Sequence, residues 1–130
     1  MNNRPKRNLT DLYILVAEDN CFTQRLISLI FRQWNIPVDF AQNGKEALDL
    51  AIANRYDLIF MDIMMPEIDG YTAASMIRSQ AETYYKEVPI YAFTAIPDHE
   101  MIEKSGMNGH ISKTPVDRDE ILGIINASLA

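Results

Sequence analysis

The chain contains a single cysteine, Cys21, among its 130 residues. One cysteine excludes an internal disulfide and leaves no thiolates for a zinc cluster. Every apolar run falls short of the ~20 residues that a transmembrane helix needs. The first seven residues also lack the apolar core of a secretory signal. We therefore expect a cytoplasmic protein that does not engage a membrane.

Basic residues are scarce after the first eight positions. Three of the twelve, Arg4, Lys6 and Arg7, lie in that opening stretch, which has no acidic residue, and the remaining nine stand against 18 acidic residues. Proteins that bind nucleic acid usually present a clustered basic face, so we expect no direct contact with nucleic acid by the folded part. We interpret residues 1–9 as a flexible N-terminal tail and residues 10–130 as one domain, because a chain of this length suits a single core.

Strand-like and helix-like segments alternate from residue 12 to the end, which is typical of a parallel sheet with helices on both faces. The predicted strands are Leu12–Ala17, Val38–Ala41, Leu58–Asp62, Val88–Thr94 and His110–Lys113. The predicted helices are Cys21–Trp34, one that opens at Asn43, Tyr71–Tyr85, Pro97–Lys104 and Asp117–Ser128. The first, third and fourth strands are nearly all apolar, as expected of strands buried on both faces. The sequence thus predicts a doubly wound α/β fold.

Acidic residues follow two of the apolar strands directly. Glu18 and Asp19 come after the first strand, and Asp62 closes the third. Open parallel α/β sheets bind ligands at the carboxyl edge of their strands, so we expect these three carboxylates to converge there. Converging carboxylates repel one another unless a cation lies between them, and Mg²⁺ is the hard ion that prefers oxygen ligands. The pattern indicates a metal-assisted acidic site.

Four ordered motifs together resemble the receiver domain of response regulators in two-component signalling, the CheY-like family, over essentially residues 10–130. The motifs are Glu18-Asp19-Asn20, the segment 61–70 that begins Met61-Asp62, Ala92-Phe93-Thr94-Ala95, and the segment 106–113 that ends in Lys113. The resemblance implies a flavodoxin-like fold with five parallel strands in the order 2-1-3-4-5. It also implies a phosphoprotein that acts in a two-component system or phosphorelay.

Phosphoryl transfer needs a nucleophile, a metal ion, a cation and hydrogen-bond donors. We predict that Asp62 is the nucleophile and phosphoacceptor, which gives an acyl phosphate. Asp19 and Asp62 would bind Mg²⁺ directly, Glu18 through water, and the backbone carbonyl of Met64 would complete the protein's ligands. Lys113 would place its ammonium group against the phosphoryl oxygens.

The hydroxyl of Thr94 would donate a hydrogen bond to the same oxygens. As the resemblance implies, the backbone N–H groups of Met64 and Ala95 add further donors, Thr94 acts as a switch residue, and His110 occupies the position of the aromatic that swings inward with it.

The partners implied by the resemblance are a sensor histidine kinase or a histidine phosphotransfer protein as donor, and a downstream protein target. We expect a signalling phosphoacceptor, which assists its own phosphorylation and dephosphorylation, rather than an enzyme with a separate substrate. Because the last helix ends near residue 130, we expect a stand-alone receiver, with a fragment of a hybrid kinase as the alternative. A small-molecule phosphatase of the haloacid dehalogenase type is disfavoured, because Met64 stands where that pattern needs a second aspartate.

Two departures from the family pattern support an alternative function. Thr114 separates Lys113 from Pro115, where the family has proline directly after the lysine, and the segment from Thr94 to Gly106 is about three residues short, nearly one helical turn. The lysine could therefore sit differently, unless a cis Thr114–Pro115 bond preserves its reach. The fourth predicted helix should be shortened. The alternative is a phosphorylation-independent adaptor with a receiver-like fold.

Overall fold

The computed structural model describes residues 8–128 as a sheet of five parallel strands with helices on both faces. The strands are β1 (Ile14–Ala17), β2 (Val38–Ala41), β3 (Leu58–Asp62), β4 (Ile90–Thr94) and β5 (Gly109–Ser112). They lie in the order β2-β1-β3-β4-β5. The doubly wound, flavodoxin-like topology predicted from the sequence is confirmed.

Within the described part of the chain, six α-helices connect and cover the strands. They are α1 (Cys21–Gln33), α2 (Gly44–Ala53), α3 (Gly70–Arg78), α4 (Thr83–Glu87), α5 (His99–Lys104) and α6 (Arg118–Ala127), and a 3-10 turn spans Leu9–Asp11. The side chains of Asn20, Asn43 and Asp69 accept backbone N–H groups at the starts of α1, α2 and α3, which explains where these helices begin. None of the helices within residues 8–128 has the length and apolar character needed to cross a bilayer.

The predicted helix Tyr71–Tyr85 is wrong, because the chain turns at residues 79–82 and divides it into α3 and α4. Arg78, the last residue of α3, donates hydrogen bonds to the backbone carbonyls of Tyr85 (3.1 Å) and Val88 (2.6 Å). Tyr84 donates its hydroxyl to the carbonyl of Tyr56, just before β3, and Tyr85 donates its hydroxyl to a carbonyl in the last turn of α2. These tertiary contacts redirect a segment whose residues are all compatible with a helix.

The predicted bounds of β2 and β3 coincide with the observed ones, and the other predicted boundaries differ by at most two residues. Asn35 adopts a left-handed conformation with φ of 55° just after α1, as its sequence position suggested. The helix α5 is only six residues long, in agreement with the short segment before Gly106. The predicted tail lies largely outside the described residues, and Leu9 packs against the core. The domain boundary after residue 9 stays a prediction.

The core has two layers because the side chains of each strand alternate between the faces of the sheet. Leu15, Ile59 and Met61 pack on one face against α2, α3 and the residues that follow them. Ile14, Val16 and Phe60 pack on the other face against α1 and α6. The apolar residues of β1 and β3 are buried in these two layers. Their burial fixes the positions of the acidic residues at the ends of the two strands.

Candidate functional site

Glu18, Asp62 and Lys113 meet at the carboxyl edge of the sheet. The Nζ of Lys113 lies 2.8 Å from Oδ2 of Asp62 and 2.8 Å from Oε1 of Glu18. Both acids are almost completely buried, with 0% of Glu18 and 2% of Asp62 exposed to solvent. Three residues that are far apart in the sequence therefore form one charged cluster.

The backbone brings these side chains together through strand pairing. Asp62 is the last residue of β3, Glu18 directly follows β1, and the N–H of Glu18 continues the ladder by donating to the carbonyl of Ala41 at 2.9 Å. The start of α3 presses against the same strand end, since a Cβ on Gly70 would lie 2.2 Å from the carbonyl oxygen of Asp62. Only glycine permits this approach, so the loop after Asp62 is held against the strand.

Burial and contacts between charged groups together shift the pKa values in the cluster. The pKa of Glu18 is raised, chiefly because burial penalises its charged form and also because Asp62 is close; the contact with Lys113 and the N–H of Asn20, at 2.9 Å from Oε2, act in the opposite direction. Partial burial acts to lower the pKa of Lys113, but its contacts with Asp62 and Glu18 outweigh this and raise it. Lys113 is therefore held as a cation.

Asp19 completes an acidic group that fits a hard divalent cation. Carboxylate oxygens of Glu18, Asp19 and Asp62 lie within 4.8 Å of one another, and Asp19 is exposed. The buried Oε1 of Glu18 has no well-formed hydrogen bond, although Lys113 lies close to it. An all-oxygen donor set with open access to water is what Mg²⁺ requires. The residues at this site fit the ion that the sequence predicted.

Met64 and Thr94 also lie at this edge, Met64 in the loop after β3 and Thr94 as the last residue of β4. The N–H of Met64 donates to Oδ1 of Asp62 at 3.2 Å, and the Met64 side chain is 83% exposed. The hydroxyl of Thr94 is turned toward the next loop, where it accepts the N–H of Ile96 at 3.2 Å and lies 3.3 Å from the carbonyl of the same residue. The roles of the Met64 carbonyl and of the Ala95 N–H stay predictions.

The inserted Thr114 does not move Lys113 away from the cluster. Lys113 pairs with Val116 in an isolated antiparallel bridge, so the extra residue is accommodated in the turn between them, and the Thr114–Pro115 bond is cis. The hydroxyl of Ser112 donates to the carbonyl of Pro115 at 3.0 Å and steadies the same turn. Lys113 therefore keeps its place in the cluster, and the loop accommodates the extra residue.

His110 lies on β5 at the edge of the sheet, half-buried, and its ring packs edge-to-face on the ring of His99 with the centroids 5.3 Å apart. The sequence interpretation assigned no role to His99. It also overlooked Gln24, whose amide donates to the backbone carbonyl of Glu18. The cap at Asn20 was recognisable, because an asparagine directly before an amphipathic segment is a usual helix start. The contacts of His99 and Gln24 depend on tertiary structure and leave no local signal.

Comparison with known proteins agrees with the geometry. A family model of the response regulator receiver domain matches residues 14–126. The chain belongs to the response regulator receiver domain family. The receiver domains of this family are parts of two-component and phosphorelay systems, as the motifs predicted.

Curated relatives include much longer proteins. The receiver domain is 34% identical over 116 residues to the transcription factor SKN7 of Saccharomyces cerevisiae, which covers 87% of this chain and 18% of that protein. It is 36% identical over 128 residues to the osmosensing histidine protein kinase SLN1 of the same organism, covering 92% of this chain and 10% of that protein. The chain therefore spans less than a fifth of the length of either relative.

Solved receiver structures superpose on most of the chain. The receiver domain of a sensor histidine kinase from Pseudomonas aeruginosa, crystallised with a magnesium ion coordinated in its active site cleft, matches with a TM-score of 0.81 and 35% identity, covering 91% of this chain and 97% of that one. The receiver domain of Ssk1 from Saccharomyces cerevisiae, in a co-crystal with the histidine phosphotransfer protein Ypd1, matches with a TM-score of 0.79 and 28% identity, covering 96% and 90%.

Proposed function

We propose that this receiver domain accepts a phosphoryl group on Asp62 in a Mg²⁺-dependent reaction, and that the donor is a phosphohistidine of a sensor histidine kinase or histidine phosphotransfer protein. The observation that carries the proposal is the position of Asp62, whose carboxylate contacts the ammonium of Lys113 and belongs to the acidic group formed with Glu18 and Asp19. The histidine phosphotransfer protein in the Ypd1–Ssk1 co-crystal, whose receiver domain resembles this chain, supports the donor class.

In the reaction, one carboxylate oxygen of Asp62 forms a bond to phosphorus. The bond between phosphorus and the imidazole nitrogen breaks, and its electron pair returns to the donor's ring. Lys113, held as a cation, neutralises charge on the transferred phosphoryl oxygens, and the Met64 N–H is aimed at the same carboxylate. Mg²⁺ bound by Asp19 and Asp62, with Glu18 through water and the Met64 carbonyl, would supply further positive charge at those oxygens.

The phosphoryl group would then alter a protein-binding surface that a downstream protein target recognises. A dianion at Asp62 adds strong acceptors near Thr94, whose hydroxyl can exchange its contact with Ile96 for a phosphoryl oxygen. His110 on the neighbouring strand β5 would follow as the second switch residue. Under this proposal, the domain is a signalling phosphoacceptor that assists its own phosphorylation and dephosphorylation, rather than an enzyme with a separate substrate.

The proposal is tested by incubating the wild-type protein with Mg²⁺ and a small phosphodonor such as acetyl phosphate. Intact mass measurement should then show one added phosphoryl group. We expect the gain to disappear when a chelator removes Mg²⁺, and the product to be labile to hydroxylamine, as an acyl phosphate is. An unchanged mass in the presence of Mg²⁺ would contradict the proposal.

A measurement of partner binding separates this function from the phosphorylation-independent adaptor. The adaptor hypothesis was motivated by the Thr114 insertion and by the shortened fourth predicted helix. Lys113 nevertheless keeps its 2.8 Å contact with Asp62, whereas α5 is indeed short, with six residues. If a partner's affinity changes when the domain carries a phosphoryl mimic, the adaptor hypothesis fails. Indifference of the partner to the mimic would favour it.

An exposed apolar face beside the site supports docking of a phosphodonor protein. Phe22 is 82% exposed in the first turn of α1, and Leu26 and Leu29 continue the same helix face with 45% and 48% exposed. Residues at these spacings share one side of a helix. Phe22 follows Asp19 by three positions, so a protein that covers this face would come close to Asp62.

We expect Phe22→Ala to slow phosphoryl transfer from a phosphorylated histidine phosphotransfer protein about tenfold or more, because a few buried anchors, often aromatic, carry most of the energy of an interface. Transfer from acetyl phosphate should not change, since the variant leaves the acidic site intact. Ile52→Ala, at a residue 43% exposed on α2, is the matched control and should behave as wild type in both assays. Equal slowing with both donors would show that Phe22 affects the chemistry rather than docking.

A further inference from the structure

We propose that His99 and His110 form a binding site for one divalent transition-metal ion, with Zn²⁺ as its probe, where α5 meets β5. These are the only two histidines of the chain. They come from different elements, the first residue of α5 and the second residue of β5, yet the structure places their rings edge-to-face with centroids 5.3 Å apart and planes inclined at 72°. This site is separate from the acidic group at Asp62.

The spacing of the rings fits a shared ion. With Zn–N bonds of about 2.1 Å and a near-tetrahedral angle between them, the centres of two imidazoles on one ion lie about 5 Å apart. The observed separation of 5.3 Å therefore requires little movement of the backbone. His99 is exposed, so its ring can turn a nitrogen toward the shared position, and His110 is half-buried on the strand. Water would occupy the remaining coordination positions.

The ring nitrogens are available as ligands. Within residues 8–128, neither imidazole takes part in a side-chain hydrogen bond or an ion pair, and their contact is with each other. Imidazole also selects transition metals over Mg²⁺, whereas the carboxylates at Asp62 favour the harder ion. The two sites should therefore differ in metal preference.

The charges around His99 favour a cation. Asp98 and Glu100 flank it in sequence, and Glu103 lies one turn further along α5, on the side of the helix that carries His99. The one lysine of this helix, Lys104, is paired with Glu100 at 2.9 Å. The segment thus has a local excess of negative charge, which attracts a divalent ion and outweighs the positive end of so short a helix. Glu103 could contribute an oxygen ligand by rotation of its exposed side chain.

A consequence for signalling rests on the proposed function. An ion shared with His99 would hold the ring of His110 against α5, in the arrangement seen here. If phosphorylation of Asp62 moves His110 inward, phosphorylation must lower the affinity for the ion, and the ion must lower the equilibrium constant for phosphorylation by the same factor.

The site is tested by titrating Zn²⁺ into untagged protein that carries Cys21→Ser, with millimolar Mg²⁺ present to occupy the acidic site. Calorimetry should show one Zn²⁺ per chain, and NMR should show both histidine ring signals shifting together. We expect His99→Ala and His110→Phe each to weaken binding about a hundredfold, since each removes half of the imidazole ligands. His110→Phe retains an aromatic ring, and circular dichroism would show that both variants fold.

Met101→Ala, at a residue 38% exposed in the same helix, is the matched control and should bind as the parent does. Asp62→Asn should also leave Zn²⁺ binding unchanged, so failure of this site and failure of the proposed phosphorylation give different results. Absence of Zn²⁺ binding in the presence of Mg²⁺ would overturn the proposal, as would binding that survives both histidine substitutions.

Discussion

Replacing Asp62 with asparagine should abolish phosphorylation completely. The amide that replaces the carboxylate is not a nucleophile toward phosphorus, and it also removes one of the proposed ligands of Mg²⁺. The fold should survive, because asparagine has the same shape and its oxygen can still accept the Met64 N–H that now lies 3.2 Å from Oδ1. The measurement is the intact mass after incubation with acetyl phosphate and Mg²⁺, in which the added phosphoryl group should be missing.

Asp69→Asn provides the matched control for this loss. Asp69 is an exposed aspartate in the same loop, where its side chain accepts the N–H of Thr72 at 2.7 Å and caps α3. Asparagine caps helices as well as aspartate does, so this variant should be phosphorylated like the wild type. A phosphoryl group that persists in Asp62→Asn and is lost in Asp69→Asn would identify Asp69 as the acceptor instead.

Much of the site could be predicted because its residues follow recognisable strands. The apolar runs before Glu18 and Asp62 can only be buried, and parallel strands deliver their final residues to one edge of the sheet. Lys113 could be placed on the same edge only through its motif, because a lone lysine after a short strand has no distinctive local signal. Its contacts with both acids then explain why the motif ends in a cation.

The features that sequence reasoning missed depend on contacts between distant segments. The turn at residues 79–82 arises because the guanidinium of Arg78 binds backbone carbonyls of the segment that follows, whereas the intervening residues are compatible with a helix. In the same way, nothing near His99 in the sequence indicates that its ring meets the ring of His110. Local propensity cannot predict such pairs, since each partner looks like an ordinary surface residue on its own.

Replacing Lys113 with methionine should have the largest effect on stability. The substitution keeps the length of the apolar stem but leaves two buried carboxylates, Glu18 and Asp62, facing each other without their shared cation. Removing one partner of a buried ion pair costs about 3 kcal/mol or more in the free energy of unfolding. We expect urea denaturation without Mg²⁺ to show this loss, and Lys45→Met, which removes an exposed lysine paired with Asp49, to cost well under 1 kcal/mol.

The dependence of this loss on pH and metal would identify its cause. Burial already raises the pKa of Glu18 in the folded protein, and loss of the ammonium would raise it further. A carboxyl group whose pKa is higher in the folded than in the unfolded state destabilises the fold as the pH rises through that pKa. The deficit of Lys113→Met should therefore be greatest at neutral pH and shrink in acid, and saturating Mg²⁺ should also reduce it by neutralising the same carboxylates. A deficit that is equal at every pH and unaffected by Mg²⁺ would attribute the loss to packing rather than to charge.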